Sequence, residues 1–323
     1  MLACLRFVHL PHFMKVYRNL DTLPPFVKAS ITIGTFDGVH LGHQKIIPQL
    51  LTAAAANGGE SVLITFHPHP RKIVKPDENL MQITTMEERI ELLKKLGINN
   101  LVIVPFTKAF SQLTALDYVQ HFLVEKFHPS TIIIGYDHKF GNNREGDFKL
   151  LKQYAAQFEY TVKEIDEELI HDAIISSTKI REALLRGDVD LAKSYLGYDY
   201  FFKGMVIEGN KLGRTIGFPT ANLQMDNTDK LVPGNGVYAV SCQLEGEEKV
   251  FKGMMNIGTR PTVDGLNRMI EVNIFDFDEE IYGRHLKVWL KHHLRNEIKF
   301  SGIDALKEQL KKDKEVSEKM LAT

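Results

Sequence analysis

Short apolar runs alternate with longer amphipathic segments from Ile31 to about Arg186. Four β-branched runs, ITIGTF, SVLITF, LVIVPF and TIIIGY, are each followed by a stretch in which apolar residues recur at helical spacing. Strands that are apolar along their whole length are typical of a parallel sheet covered by helices on both faces. This part of the chain is therefore predicted to be an α/β domain of repeated strand and helix units.

The pattern changes after Gly187, where frequent glycines separate short strands. The segments GVYAV, KVFKGMM, IEVNIFDF and LKVWLKHH have strand character, and IDALKEQLKKDKEVSEKM has helical spacing. These features predict an all-β barrel or sandwich closed by a C-terminal helix. We expect an α/β domain at residues 14–186, a linker at 187–199 and a β domain at 200–323, with residues 1–13 as an extension of no assigned chemistry.

Two histidines, His40 and His43, lie where the first predicted strand gives way to a helix. Residues three apart share a helix face, and the first turn carries unpaired N–H groups and the positive end of the dipole. The junction is a candidate site for a nucleotide triphosphate, at which imidazolium donors would stabilise the phosphates of a nucleotidyl transfer. A capped helix with two surface histidines remains the alternative. A zinc site is disfavoured because no third ligand has suitable spacing.

Standard phosphate-binding signatures are missing, so other stretches are needed to hold phosphate. Neither a P-loop nor a Rossmann glycine fingerprint occurs. The stretch ISSTKIR begins a helix, and its Arg181 lies one turn in, where the guanidinium could reach phosphate oxygens. Helix capping is the simpler role for its serines and threonine. GYDHKFG and FHPHPR follow strands and are further candidates for the ligand edge of the sheet.

The predicted β domain offers a metal site and a base. Thr220 and Asn222 are oxygen ligands of the kind that Mg²⁺ accepts beside phosphate and water. Glu271 and Asn273 share one strand face, and a carboxylate there could take the proton from an alcohol that attacks a γ-phosphate. A proline-containing turn and an exposed strand glutamate are the alternatives without chemistry.

Composition favours small substrates in a reducing compartment. The 323 residues carry 40 Lys and Arg against 41 Asp and Glu, a net charge of -1, which disfavours a nucleic-acid surface. Only Cys4 and Cys242 are present, too few for a disulfide framework, and this favours the cytoplasm. No apolar run is long enough to span a bilayer, and no secretory signal is expected.

Taken together, the motifs resemble one family over nearly the whole chain from Met14. GTFDGVHLGH, FHPHPR, ISSTKIR, GRTIGFPTANL, NIGTRPTV, IEVNIFDFDEEIYG and LRNEIKF occur in the order found in the prokaryotic bifunctional riboflavin kinase/FAD synthetase. The resemblance implies an HxGH-type nucleotidyltransferase domain with a Rossmann-like sheet that joins FMN to AMP from ATP. It also implies a β-barrel kinase domain that makes FMN from riboflavin and ATP, and Mg²⁺ in both steps.

The resemblance also implies roles for individual residues. His40, His43 and Arg181 would serve the adenylyl transfer, and Glu271 would be the kinase base. Thr220 and Asn222 would bind Mg·ATP, and Arg295 would help to close the flavin site. The remaining residues would bind nucleotide or flavin: Gly34, Phe36, Asp37, Gly38, Gly42, Asp137, Ser177, Thr178, Gly213 and Gly217.

Two positions depart from the family pattern, and rival functions stay open. His138 stands where Phe is usual, and Asn273 stands where His often follows the glutamate. One rival is a single-reaction cytidylyl- or adenylyltransferase whose β domain only binds substrate, and another is a flavin-binding regulator without catalysis. A class I aminoacyl-tRNA synthetase is disfavoured because the chain lacks a KMSKS-like segment. No nucleic acid, membrane or obligate protein partner is expected.

Overall fold

The computed structural model describes residues 13–165, 175–209, 212–262 and 265–322. The chain divides into two compact units: the first runs to Leu80 and from Met86 to Ile175, and the second holds Met81–Thr85 and the chain from Ser176 onward. Except for Phe13, the predicted N-terminal extension lies outside the described residues.

The first unit is built on a six-stranded parallel sheet, which confirms the predicted α/β architecture. The strands lie in the order β1-β4-β3-β2-β5-β6. The four apolar runs form the inner strands, while the short outer strands were not predicted because they are partly exposed and carry no apolar run. The bounds are β1 Lys15–Tyr17, β2 Ser30–Ile33, β3 Ser61–His67, β4 Asn100–Pro105, β5 Thr131–Gly135 and β6 Thr161–Ile165.

Helices cover both faces of this sheet. Alternate strand residues enter two separate cores: Ile64 and Val102 belong to one, Leu63 and Leu101 to the other. This explains why the strands are apolar at every position. The helices are α1 Leu41–Asn57, α2 Pro70–Val74, α3 Met86–Lys94, α4 Lys108–Ser111, α5 Ala115–Asp117, α6 Glu125–Phe127 and α7 Phe148–Tyr154, with a π-helical stretch Tyr118–Val124 between α5 and α6.

The second unit is a closed antiparallel barrel, and the predicted C-terminal helix is present. Its strands follow the order β10-β11-β8-β7-β12-β9, and β9 pairs with β10 to close the barrel. The strands are β7 Phe201–Ile207, β8 Ala221–Met225, β9 Gly236–Leu244, β10 Val250–Thr262, β11 Gly265–Ile274 and β12 His285–Arg295. The helices are α8 Ser177–Leu185, α9 Val189–Leu196, α10 Leu212–Thr215 and α11 Ile303–Met320.

The span predicted as a linker, residues 187–199, contains helix α9. Asp188 caps it by accepting a hydrogen bond from the Leu191 N–H, and Gly197 ends it in the left-handed conformation. Both are standard helix boundary signals. With only eight residues, this helix is too short for its apolar spacing to be recognised in the sequence.

The segment Met81–Thr85 packs within the barrel unit. The Gln82 N–H donates to the Asp229 carbonyl, and the Leu231 N–H donates to the Gln82 carbonyl. The buried Lys230 ammonium donates to the Ile83 carbonyl at 2.7 Å and lies 4.5 Å from the Tyr200 ring centroid. Backbone bonds and a buried charge therefore tie this segment to the barrel.

Candidate functional site

The histidine pair lies at the carboxyl edge of the parallel sheet, as predicted. Strands β3 and β4 follow β2 on one side of the sheet, whereas β5 and β6 lie on its other side. The loop after β2 therefore leaves the sheet where the strand order reverses. Ligands of open α/β sheets bind at such a point. His40 is the N-cap of α1: the His43 N–H donates to its Nδ1 at 3.4 Å.

The two imidazole rings are stacked and largely buried rather than on the surface. Their centroids are 3.7 Å apart, and the Phe36 ring lies 4.8 Å from that of His43. Burial, the adjacent His40 ring and the charge of Arg89 hold the pKa of His43 well below its ordinary value of 6.5. The expectation of imidazolium donors is therefore revised at His43, which is a neutral imidazole near pH 7.

A buried ion pair supports this loop, and sequence analysis did not find it. Nη2 of Arg89 on α3 lies 3.4 Å from Oδ1 of Asp37, and their side chains are 1% and 0% exposed. Nη1 of Arg89 lies 3.5 Å from Oγ1 of Thr65, which donates to the Thr35 carbonyl. Arg89 lies in the charged run EERIELLKK. Such a run is typical of a solvent-exposed helix face, so the sequence does not predict that Arg89 is buried.

The predicted glycine positions of this loop allow close backbone and ring contacts. Gly38 has φ 84°, a conformation that favours glycine. A Cβ on Gly42 would lie 3.1 Å from the His40 ring, and one on Gly34 would lie 3.1 Å from the Phe36 ring. Phe36 itself has φ 48° and is buried. These residues shape the loop that positions the histidine pair.

The loop after β5 places Asp137 at the same edge of the sheet, where its side chain is exposed. The neighbouring His138 is only partly exposed, and within the part of the chain that the structure describes its buried Nε2 has no hydrogen-bond partner. Burial lowers the pKa of His138 to about 4. The ring packs 6.0 Å from Phe140, so this histidine occupies an apolar position in its neutral form. His69, from FHPHPR, caps α2 by accepting from the Arg71 N–H.

The stretch ISSTKIR lies in the second unit except for Ile175, the last residue of the first unit. Ser176 is the N-cap of α8, with Ser177 and Thr178 as its first two residues. The Arg181 Nε donates to the Met81 carbonyl at 2.8 Å. The capping role weighed for the serines holds for Ser176, and binding of phosphate by Ser177, Thr178 and Arg181 stays a prediction.

One cavity of the barrel unit brings together most of the residues predicted for the second site. Its volume is about 210 Å³, and its lining includes Thr220, Asn222, Glu271, Arg295 and Gly213. Ile216, Phe218 and Met254 form an apolar wall, with Leu306 and Leu310 of α11 packed against that cluster. The lining thus combines an apolar cluster with a group of polar side chains that includes Thr220, Asn222 and Glu271 and is called the polar end. Gly217 lies in the adjoining turn with φ 83°.

The polar end is built on paired strands. Asn222 on β8 faces Glu271 on β11, which in turn pairs with Asn256 on β10. Asn222 is 5% exposed, and among the described residues its Oδ1 has no hydrogen-bond partner. A Cβ on Gly209 would meet Nδ2 of Asn222 at 2.1 Å, so only glycine allows the loop after β7 to approach this amide.

Arg295 connects the cavity to the C-terminal helix. Its Nε and Nη2 donate to the buried Asp313 carboxylate of α11, with the shortest distance 2.7 Å between Nη2 and Oδ2. Gln309 donates to the same carboxylate at 2.9 Å. Arg295 therefore holds α11 against β12. Asp313 was missed because a helical carboxylate in a lysine-rich run resembles a surface residue.

Neither a metal cluster nor a membrane-spanning helix is found among the described residues. Across the described ranges, no group of three or more His, Cys, Asp or Glu side chains could hold a metal ion. Within the same ranges, no helix has the length and apolar character needed to cross a membrane.

Comparison with protein families finds two matches, one in each half of the chain. Residues 25–179 match the FAD synthetase family, and residues 196–321 match the riboflavin kinase family. A crystal structure described as a macrolide-efflux protein from Streptococcus pneumoniae superposes with a TM-score of 0.84 and 32% identity, covering 94% of this chain and 98% of that one.

The names of curated relatives combine a kinase and an adenylyltransferase activity. The bifunctional riboflavin kinase/FMN adenylyltransferase of Haemophilus influenzae is 38% identical over 288 residues, 89% of this chain and 92% of the relative. The protein of that name from Listeria monocytogenes is 39% identical over 288 residues, 88% of this chain and 90% of the relative. The chain belongs to the bifunctional riboflavin kinase/FMN adenylyltransferase family.

Proposed function

We propose that the two reactions of this family occur at separate sites, with riboflavin phosphorylation in the barrel cavity and FMN adenylylation at the histidine pair. The main support for riboflavin phosphorylation in the barrel is the Asn222 and Glu271 pair at the polar end of a cavity with an apolar wall. Riboflavin has this polarity: a planar ring system joined to a polyol. ATP is the second substrate of both reactions.

In the kinase reaction, Glu271 acts as the general base. A primary alcohol is a weak nucleophile and must lose its proton as the new P–O bond forms. The Glu271 carboxylate takes that proton from the terminal ribityl hydroxyl, whose oxygen attacks the γ-phosphorus, and ADP leaves. The apolar wall of Ile216, Phe218 and Met254 excludes water from the ring system.

The residues of the polar end fit a hard metal ion. Asn222 presents a buried Oδ1 that lacks a hydrogen-bond partner among the described residues, and Thr220, two residues earlier, lines the same cavity with its hydroxyl-bearing side chain. Two neutral oxygens are a suitable partial ligand set for Mg²⁺ when nucleotide phosphates and water supply the rest. When bound, Mg²⁺ neutralises charge that develops on the transferred phosphoryl group. The chain's own part is to hold these oxygens beside Glu271.

In the adenylylation reaction, the protein supplies positioning and hydrogen bonds rather than a nucleophile. An FMN phosphate oxygen attacks the α-phosphorus of ATP, and pyrophosphate leaves, so no alcohol proton has to be removed. Because Nδ1 of His40 accepts from a backbone N–H, the neutral ring carries its proton on Nε2 and can donate there. The N-terminus of the 17-residue helix α1 adds a positive dipole end.

Product analysis tests this assignment directly. The full-length protein is incubated with riboflavin, ATP and Mg²⁺, and flavins are separated by chromatography over time. We expect FMN to appear first and FAD to follow with release of pyrophosphate. FAD formation from added FMN without any phosphorylation of riboflavin would refute the kinase assignment. Flavin binding without ATP turnover would identify a regulator instead.

A further inference from the structure

Asn273 makes a contact that the proposed kinase mechanism does not use. Its side chain is buried, 7% exposed, and Nδ2 donates to the Pro219 carbonyl at 2.7 Å. Because a carbonyl only accepts, the amide nitrogen must face Pro219. Pro219 immediately precedes Thr220, the first of the two proposed magnesium ligands.

The strand register shows why this contact matters. Asn222 pairs with Glu271 and Ala221 with Val272, and Asn273 and Thr220 are the next residues beyond this last pair on the two chain segments. Opposed residues of antiparallel strands project from the same face of the sheet. Asn273, Thr220, Asn222 and Glu271 all line the cavity. The paired strand β8 begins only at Ala221, so the backbone at Pro219 lies just beyond its end.

The turn that leads into β8 has one further restraint on its other side. The Phe218 N–H donates to the Gly213 carbonyl at 2.8 Å, which closes the turn. Thr220 therefore lies between this closed turn and the start of the paired strand. The Asn273 side chain ties the carbonyl between Phe218 and Thr220 to the strand that carries the base.

We propose that Asn273 is a positioning residue that fixes Thr220 for the Mg·ATP complex by holding the Pro219 carbonyl. This inference rests on the proposed kinase function of the cavity. Asn273 touches neither reacting atom in this scheme, and it acts through the backbone of its neighbour strand. Losing this bond should weaken Mg·nucleotide binding and leave the flavin end of the cavity unchanged.

The test compares two substitutions in the full-length protein. Asn273→Leu keeps a similar volume and removes the donor, while Asn273→His, assayed at pH 8, keeps a ring N–H that can donate. Binding of Mg²⁺ with a non-hydrolysable ATP analogue is measured by calorimetry, and hydrogen exchange is followed in the peptide covering residues 216–222. Kinase KM values for Mg·ATP and riboflavin are measured in parallel, with FMN adenylylation as a control for the rest of the chain.

Loss of one hydrogen bond corresponds to about a fivefold to tenfold effect. We expect Asn273→Leu to raise the Kd and KM for the magnesium nucleotide by about that factor, to speed exchange in the turn, and to leave the riboflavin KM within about twofold. Asn273→His should recover most of the binding.

Equal weakening of riboflavin and nucleotide, unchanged nucleotide binding in Asn273→Leu, or an equal loss in both variants would overturn the inference. Failure of the wild-type protein to bind Mg·nucleotide or to phosphorylate riboflavin would instead refute the underlying kinase assignment.

Discussion

Asn222 and Glu271 stand directly opposite each other on neighbouring antiparallel strands of the barrel. The spacing between the proposed metal ligand and the proposed base is thus set by a hydrogen-bonded ladder, not by mobile loops. Rigid strands hold catalytic groups more accurately than loops do. The histidine pair proposed for adenylylation, in contrast, belongs to the first unit, so substitutions there and in the barrel cavity can test the two proposed sites independently.

Glu271→Gln should abolish kinase activity selectively. The amide keeps the shape of the side chain but cannot accept the ribityl proton, so we expect a loss of about 10²- to 10⁴-fold in kcat. FMN adenylylation should continue at the wild-type rate. Chromatography of reactions started from riboflavin or from FMN measures the two steps separately, and equal loss of both would contradict separate sites.

Replacing His40 and His43 together by Ala should have the opposite effect. Reactions started from riboflavin should stop at FMN, with FAD formation reduced by about 10²- to 10³-fold, the usual effect of losing donors to a charged transition state. His121→Ala is a matched control because that side chain is 54% exposed and lies on a helix face of the same unit. FAD formation at the wild-type rate in the double variant would contradict an anion site at His40 and His43.

Replacing only one partner of the Arg89 and Asp37 pair should strongly lower the stability of the first unit. Arg89→Met leaves a buried carboxylate without its charged partner, and we expect a loss of about 3–5 kcal/mol in the free energy of unfolding. Adding Asp37→Asn removes the buried negative charge and should restore part of that loss. Hydrogen exchange in β2 and α3 measures both changes, and an equal loss in the single and double variants would show that charge is not the cause.

His138 should make the first unit less stable in acid. Burial lowers its folded-state pKa to about 4, whereas the unfolded chain protonates near 6.5, so the unfolded state binds more protons as pH falls. Stability from this group is complete above pH 6.5 and declines toward pH 4. His138→Phe removes the titrating ring and should flatten the decline between pH 7 and 5. Hydrogen exchange in β5 reports it, and parallel profiles for both proteins would contradict this origin.

Gly209→Ala should impair the kinase through Asn222. The new methyl group would lie 2.1 Å from Nδ2 of Asn222, so the amide must move from its place beside Glu271. We expect a higher Mg²⁺ requirement and lower kinase activity, with adenylylation unchanged. Gly302→Ala is the control, because a Cβ there meets nothing within 4 Å. Similar kinase rates for both alanine variants would show that the close approach is unimportant.

Periodicity and motif order predicted most of the architecture. Buried inner strands such as β3 carry a continuous apolar signal, and helix α11 has regular spacing, so both were recognised. Edge strand β1 and helix α9 were missed because their signals are short or mixed with polar residues.

The site was predictable where a residue belongs to a compact motif, as His40 and Thr220 do. Arg89, Asp313 and Gly209 depend on neighbours distant in sequence, and nothing in their local context reveals them. The protonation state of His43 likewise follows from packing, which only three-dimensional contacts define.

The docking of Met81–Thr85 on the barrel means that a gene fragment starting at Ser176 does not encode the complete second unit. Such a fragment would lack the backbone carbonyl that accepts a hydrogen bond from the buried Lys230 ammonium. It would also lose the carbonyl that anchors Arg181. Separate expression of the second unit therefore requires a transplanted or fused loop, since that unit is discontinuous along the polypeptide.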